Sequence, residues 1–150
     1  MNAVELLKAD HKKVEELFHQ VESTKGEAKH RQLFKRIKAE LDVHTHIEEK
    51  IFYPRIKKEA ELKDITLEGI EEHHQVKMFL KEIPRLPSKA ERFEPKLKVL
   101  MEDIRHHVKE EERTMFPKAQ VILSIPEMEK LGAEMEAEKK RFKKTQAAAK

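Results

Sequence analysis

The stretch HTHIEEKIFYP, residues 44–54, decides the fold, because its pattern returns as HVKEEERTMFP at residues 107–117. Each copy contains a histidine, two adjacent glutamates that begin four residues later, an aromatic residue and a proline. Residues four apart on an α-helix lie about 40° apart around its axis, one turn above each other. Each copy therefore predicts an imidazole and a carboxylate that reach the same point in space. That arrangement is typical of a metal-binding pair.

Composition limits the class of protein. The 150 residues suffice for a single domain with a hydrophobic core, and we predict one domain over residues 1–150. Charged residues make up 41% and only 3 glycines occur, which favours long helices. The net charge of +3 comes from interleaved charges of both signs, which do not indicate a nucleic-acid interface. The absence of cysteine excludes disulfides and thiolate chemistry and is compatible with a cytoplasmic location. Neither a signal peptide nor a membrane-spanning segment is indicated.

Apolar residues spaced three and four apart predict four long helices and a shorter fifth. The first covers residues 3–23. The second begins near residue 27 and ends or kinks at Pro54, with a helix-like continuation over residues 55–62. The third runs from about residue 64 to 83, and the fourth from residues 89–93 to Pro117. The fifth covers about residues 126–144, and residues 145–150 form a frayed tail.

The two halves of the chain repeat each other. His11 precedes His44 by 33 residues, and His73 precedes His107 by 34. Each half is therefore a helical hairpin with one lone histidine and one His-x-x-x-Glu pair on its apolar seams. Two such hairpins bury their seams by packing together. We predict an all-α fold, an up-down-up-down four-helix bundle over about residues 2–123 with an additional C-terminal helix.

The buried acids favour a metal site over a purely structural role. Taken singly, each pair could be a solvated ion pair, and each lone histidine a hydrogen-bonded core residue. Burying Glu48 and Glu111 without partners would cost several kcal/mol, and two carboxylates in one core repel each other. Two metal cations would remove both costs. The predicted metal ligands are His11, His44, Glu48, His73, His107 and Glu111.

The donor set favours iron. Four imidazoles and two carboxylates without sulfur suit the di-iron or di-manganese sites that helical bundles hold in their cores. Zinc prefers fewer, tetrahedral ligands. Six side chains cannot saturate two octahedral ions, so water or a bridging oxide or hydroxide must complete the coordination. Positions for dioxygen or peroxide are then expected.

Three further residues have two open interpretations each. Tyr53, the one tyrosine in the chain, either packs at a helix end or serves as an additional ligand or proton donor if the helix loosens before the following proline. Glu49 and Glu112 either hydrogen-bond a ligand histidine or remain exposed charges. The histidines predicted to lie in solvent are His19, His30 and His46.

The order of these motifs resembles the hemerythrin-like (HHE cation-binding) domain, and the resemblance covers nearly the whole chain. It is closest to bacterial stand-alone members. The resemblance implies a four-helix bundle that holds a non-haem di-iron centre through the same six ligands. In one respect the chain departs from the oxygen-carrying hemerythrins, which have a second histidine where this chain has Lys77. The carriers also have a longer spacing, ending in aspartate, where this chain has His107 and Glu111. The resemblance thus implies the fold and the metal, but not reversible oxygen carriage.

From these features we expect a cytoplasmic di-iron protein that binds or reacts with dioxygen, peroxide or nitric oxide. Its role would be oxidative-stress defence, redox sensing or iron handling. Binding without turnover and catalase-like peroxide dismutation both stay open. The alternatives are a reversible oxygen carrier and a metal-independent helical interaction module. We expect the Lys77 ammonium to leave the seam and open the site to water. No nucleic-acid or membrane partner is expected, and either a monomer or a dimer is compatible with the sequence.

Overall fold

The computed structural model describes residues 1–149, and the secondary structure in that range is helical. Two wide π-helical turns interrupt the second and fourth long helices. The elements in chain order are α1 (Ala3–Ser23), α2 (Glu27–Ile47), the first π turn (Glu48–Phe52), α3 (Tyr53–Ile56), α4 (Ala60–Glu82), a 3₁₀ turn (Ile83–Arg85), α5 (Phe93–Glu110), the second π turn (Glu111–Met115), α6 (Phe116–Ile122) and α7 (Ile125–Ala148). Within residues 1–149, none of these helices combines the length and apolarity that crossing a membrane requires.

Local signals in the sequence set several helix ends. The Asn2 side chain accepts a hydrogen bond from the Glu5 amide, and the Glu5 carboxylate accepts one from the Asn2 amide, which forms a capping box at the start of α1. The Ser124 hydroxyl caps α7 in a similar way through the Glu127 amide. Gly26 precedes α2 with a φ of 101°, a conformation that side chains with a Cβ rarely adopt.

Some predicted boundaries were wrong. The third long helix begins at Ala60 instead of residue 64, because α3 ends at Ile56 and the chain turns over residues 57–59. The helix does continue through Pro54, as predicted, but not as far as residue 62. α7 extends to Ala148, so residues 145–148 continue the helix that was predicted to end at 144. Position 150, the end of the predicted tail, lies outside the described residues.

Two apolar clusters fill the interior, and they lie on either side of a polar layer. The π-side cluster includes Leu7, Ile47, Phe52, Tyr53, Met115 and Phe116. The distal cluster includes Val14, Leu41, Val76, Leu80, Leu100 and Ile104. Along α1, for example, Leu7 belongs to the first cluster and Val14 to the second, with His11 between them. The sequence positions of the predicted metal ligands fall between the clusters in the same way on α2, on α4, and on α5 with the π turn that follows it.

α7 packs against α1, α2 and the first π turn. Met128, Leu131 and Met135 bury its apolar face in the π-side cluster. At Gly132 the helix backbone approaches the chain before α1 so closely that a Cβ would lie 2.2 Å from the Met1 carbonyl oxygen. Glycine is therefore required there by the close approach of two backbones.

Candidate metal centre

All six predicted ligands lie in the polar layer, and each is at most 7% exposed. One comes from each of the four long helices and one from each π turn, at the first residue of the turn. Two overlapping groups of donor atoms form, with all atoms in a group within 4.8 Å of one another. One group contains Glu48, His73, His107 and Glu111, and the other contains His11, His44 and Glu111. The structure therefore brings the six residues together.

The two glutamates each join histidines from both hairpins. The Glu48 Oε1 atom lies 3.1 Å from Nε2 of His44 and 3.2 Å from Nε2 of His73. The two Glu111 oxygens lie 3.1 Å from Nε2 of His11 and 3.4 Å from Nε2 of His107. Each carboxylate therefore faces one histidine of each half, which is the position a bridging ligand between two ions requires.

Several buried donor atoms have no hydrogen-bond partner among residues 1–149. They are Nε2 of His11 and of His44, both oxygens of Glu48, and Oε1 of Glu111. The close N···O approaches in this group lack the direction of a hydrogen bond. An unsatisfied buried polar atom costs about 1–3 kcal/mol, more when it is charged. Such orphaned atoms, all aimed at one centre, fit a cation that would satisfy them together.

In each of the four histidines, Nε2 faces Glu48 or Glu111, and a second carboxylate contacts the Nδ1 atom on the other side of the ring. His44 contacts Asp10 at 3.1 Å and His107 contacts Glu72 at 2.6 Å, both within a hairpin. Glu49 reaches His73 and Glu112 reaches His11 across the hairpins, both at 2.7 Å. Such contacts fix the tautomer in which Nε2 is free to bind a metal.

The second glutamate of each Glu-Glu pair therefore belongs to the site, which resolves the alternative left open for Glu49 and Glu112. Asp10 and Glu72 were not identified as site residues from the sequence. The one signal for them was that an acid precedes each lone histidine. Their partners are histidines on the neighbouring helix of the same hairpin. The residue before a core-facing position lies about 100° around the helix from it, so its side chain points toward that neighbouring helix.

Two lysines offset part of the negative charge of the layer. The Lys77 Nζ atom lies 2.7 Å from Glu49, and Lys139 of α7 contacts the second oxygen of Asp10. Together with Glu48 and Glu111, the layer contains six carboxylates and two ammonium groups around four imidazoles. Four negative charges then remain if the imidazoles are neutral. Two divalent cations would balance them.

Lys77 does leave the seam, as expected, since its side chain is 39% exposed and bonds a carboxylate on the rim. The expected opening of the site to water is not observed, because the side chains of the six predicted ligands are each at most 9% exposed. Glu49 fills the space behind His73 and is itself held by the lysine.

The π turns bring an aromatic residue to each side of the centre. The Tyr53 amide donates to the Glu48 carbonyl five residues back, and the Phe116 amide does the same to Glu111. In a regular α-helix, a residue five positions on lies about 140° away around the axis. The wider turn returns it to the same face. The Tyr53 ring stacks on His73, and the Phe116 ring stacks on His11.

The Tyr53 hydroxyl lies inside the centre. It donates to Oε2 of Glu111 at 2.5 Å and is 3.3 Å and 3.4 Å from Nε2 of His73 and His107. Burial raises the pKa of Tyr53 well above its ordinary value, and the Glu111 charge raises it further. The phenol therefore keeps its proton in the metal-free chain. Helix-end packing alone does not describe this residue.

Opposite charges set the other pKa values. Burial alone would lower the pKa of His44, but the Glu48 charge and the Asp10 hydrogen bond raise it to about 10. Burial would raise the pKa of Glu111, but the His107 charge holds it well below its usual range. The raised pKa of His44 favours its protonated form in the metal-free chain, and a bound cation would displace that proton.

A small enclosed cavity of about 20 Å³ lies between the histidines and the distal cluster. Its apolar lining includes Val14, Leu41, Val76, Ile104 and Val108, and its polar lining includes all four ligand-candidate histidines. About 10–15 Å³ of such volume holds one water molecule. The cavity therefore has room for about one water-sized molecule.

The other histidines have simpler environments. His19 is exposed as predicted, with 70% of its side chain in solvent. The prediction for His30 was wrong, because that ring is buried and bonds Glu94 and the Thr24 carbonyl. His46 was also predicted in solvent, but it is half-buried, since α7 covers it and supplies Glu138 as its partner. α7 was predicted as a helix, but its packing partners were not.

These features define an all-helical protein with a buried histidine and glutamate cluster suited to metal binding. The chain belongs to the hemerythrin HHE cation-binding domain family, whose sequence profile matches residues 2–119. The matched segment contains all six predicted ligands and both π turns, and it ends before α7.

Similar proteins occur in mycobacteria and cyanobacteria. The chain is 33% identical over 139 residues to "Uncharacterized protein Rv2633c" of Mycobacterium tuberculosis, covering 91% of this chain and 84% of that one. It is 28% identical over 142 residues to a protein of Nostoc sp. named "DNA nickase", covering 95% of this chain. The chain spans only 40% of the length of that relative.

A solved structure has the same fold. It is the crystal structure of a hemerythrin HHE cation binding domain-containing protein from Mycobacterium kansasii, an Rv2633c homolog. The TM-score is 0.81 at 28% sequence identity, and the match covers 97% of this chain and 89% of that chain. The helical arrangement described above is therefore a hemerythrin-like fold.

Proposed function

We propose that this chain is a non-haem di-iron protein that binds and reacts with small oxygen or nitrogen species, namely dioxygen, peroxide or nitric oxide. The observation that carries the proposal is the convergence of four imidazole Nε2 atoms on two buried carboxylates that have unpartnered oxygens. Family membership supports the cation, and the four uncompensated negative charges support two divalent ions. Oxidative-stress defence, redox sensing and iron handling are the roles that this chemistry fits.

We assign the ligands from the measured distances. His11 and His44 would hold one ion, and His73 and His107 the other. Glu48 and Glu111 would bridge them, because each faces histidines of both halves. Oxygen and nitrogen donors without sulfur favour iron, with manganese second, whereas zinc favours fewer ligands. Bound iron would supply one-electron redox chemistry and coordination positions for small ligands.

We further propose the finer architecture, an up-down-up-down bundle of α1, α2, α4 and α5 within one domain. Its support is the order of the clusters along the chain. α1 and α4 pass from the π-side cluster through the polar layer to the distal cluster. α2, and α5 together with the π turn that follows it, pass in the reverse order, as antiparallel neighbours would.

Peroxide turnover is favoured over reversible oxygen carriage by the position of Tyr53. Its hydroxyl donates a hydrogen bond to Glu111 inside a layer closed to solvent. A proton donor at that position assists release of a reduced product and works against the return of dioxygen unchanged. The cavity beside the four histidines leaves room only for a very small ligand.

Metal analysis of chain purified without chelators tests the proposal. We expect about two irons per chain and the visible absorption of an oxygen-bridged ferric pair. A chain that binds no transition metal, or one tetrahedral zinc, would support the metal-independent helical module instead. Steady-state consumption of hydrogen peroxide by iron-loaded protein then separates an enzyme from a binding protein. A stable oxygenated form that releases dioxygen under vacuum would favour the carrier.

A further inference from the structure

Lys139 reaches the metal centre from outside the segment that matches the family. The match ends at residue 119, and Lys139 lies in α7. Its Nζ atom contacts one oxygen of Asp10, whose other oxygen lies 3.1 Å from Nδ1 of His44. The chain of contacts thus runs from the last helix to a candidate ligand. Asp10 is 4% exposed, so its carboxylate is removed from water and depends on these two partners.

Contacts of Glu138, the residue before Lys139, hold this part of α7 in place. Glu138 contacts His46 at 2.6 Å and Lys50 at 3.2 Å, which joins α7 to α2 and the first π turn. Only 18% of the Lys139 side chain is exposed. α7 therefore presents the ammonium to Asp10 from a helix held on both sides.

A second lysine contacts another carboxylate of the polar layer, but its environment is different. Lys77 bonds Glu49 behind His73, but it is 39% exposed and comes from α4, inside the family segment. Half-exposed ion pairs are weak. A buried carboxylate that loses its cation is left uncompensated and must move or recruit another partner. Each lysine thus holds a carboxylate that bonds a candidate ligand, but only Lys139 holds one that is almost fully buried.

We infer that Lys139 is a positioning residue of the metal centre, which holds Asp10 against His44 so that Nε2 of that ring faces Glu48. α7 is then part of the centre and not only a cover for the hydrophobic core. The role in metal binding rests on the proposed function, whereas the positioning of His44 can be observed in the metal-free chain.

The first test is the affinity of the full-length chain for Fe²⁺, measured by competition with a chelator. Lys139→Met should weaken one of the two ions about tenfold, the lower end of the range for residues behind a ligand. Lys140→Met removes the same charge from an exposed position of the same helix and should leave both affinities unchanged. Lys139→Arg should recover most of the loss, because it restores the cation.

The second test is the ring nitrogen spectrum of the histidines in the metal-free chain. Lys139→Met should shift the His44 resonances and leave those of His73 in place, and Lys77→Met should do the reverse. If Lys139→Met folds poorly, Lys139→Gln keeps a donor of similar length and should give a smaller shift of the same resonances.

The outcomes separate the two proposals. A wild-type chain that binds no metal overturns the proposed function, and the His44 resonances still decide the role of Lys139. A Lys139→Met variant that loses stability while its His44 resonances and iron affinities equal those of wild type overturns the inference, because the lysine would then only hold α7 in place.

Discussion

Tyr53 and Phe116 occupy equivalent positions of the repeat, and the one oxygen atom that distinguishes them is the Tyr53 hydroxyl. Both rings stack on a histidine of the opposite half. Only Tyr53 adds a donor, and that donor reaches Glu111. The pseudo-symmetry of the centre is therefore broken on the side of His73 and His107, and chemistry that needs a proton is expected there.

Tyr53→Phe tests this asymmetry. The substitution keeps the ring but leaves a Glu111 oxygen without its donor, so the metal-free chain should lose about 1–3 kcal/mol of unfolding free energy. The iron-loaded variant should keep its metal and consume peroxide more slowly. Chemical denaturation and peroxide assays measure the two effects. Unchanged peroxide consumption with full iron content would show that the hydroxyl takes no part in turnover.

His30 provides a titrating group outside the metal centre. Burial alone would lower its pKa, but the hydrogen bond to Glu94 and the Thr24 carbonyl outweigh burial and raise it. A histidine with a raised pKa stabilises the fold fully below its unfolded pKa of about 6.5. That contribution is lost as the pH rises through the folded-state pKa.

We therefore expect His30→Gln to cost most stability in mildly acidic buffer, and the difference from wild type should shrink as the pH rises past about 6.5. Denaturation of the metal-free chain across this range measures it. His19→Gln, at an exposed position, is the matched control and should follow the wild-type curve. A difference that grows with pH would contradict the assignment of a charged His30.

At the scale of the element, α-helical periodicity located the six candidate ligands but could not locate Tyr53. His44 and Glu48 are correctly placed by a four-residue spacing because the π turn begins at Glu48 itself. Beyond that residue the regular phase fails. Pro54 removes a backbone donor, which predicts an irregularity, but it does not specify whether the helix kinks, ends or widens. The position of Tyr53 depends on that choice.

α7 shows a second limit of sequence interpretation. Its start was predicted within one residue, because Ser124 and Pro126 act locally at that end of the helix. Nothing local predicts that Gly132 crosses the chain at Met1 or that Lys139 reaches Asp10. Contacts between residues more than 100 positions apart follow from the packing of whole helices.

Gly132→Ala should displace α7. Alanine gains about 1 kcal/mol over glycine in a helix, which favours the substitution. Its Cβ, however, would lie 2.2 Å from the Met1 oxygen and 2.7 Å from the Asn2 carbonyl carbon, both backbone atoms that cannot rotate away. The steric overlap should outweigh the higher helix propensity of alanine. We expect a net loss of about 1–3 kcal/mol in the free energy of unfolding, measured by chemical denaturation. Glu136→Ala, exposed in the same helix, should show no such loss.

At the scale of the whole molecule, the polar layer separates two hydrophobic clusters that could otherwise form one continuous core. The layer contains five buried atoms without hydrogen-bond partners in residues 1–149. These unsatisfied atoms reduce the stability of the metal-free fold. The repeat predicted that the two hairpins meet at this layer, because each places its pair in mid-seam. The sequence alone did not predict that the layer closes to solvent.

Metal should therefore contribute to folding, and Glu48 allows that contribution to be isolated. A ligand that binds only the folded chain stabilises it by about 2.7 kcal/mol at one hundred times its dissociation constant. We expect an increment of this size when Fe²⁺ is added to wild-type protein under anaerobic conditions.

Glu48→Ala should abolish most of the increment, because both histidine pairs lose the carboxylate that they share. Glu49→Ala should lower the affinity about 10- to 100-fold and reduce the increment less, since it acts through His73. Glu134→Ala, exposed on α7, should retain the full increment. Equal increments in Glu48→Ala and Glu134→Ala would mean that the ions bind elsewhere, whatever the total iron content.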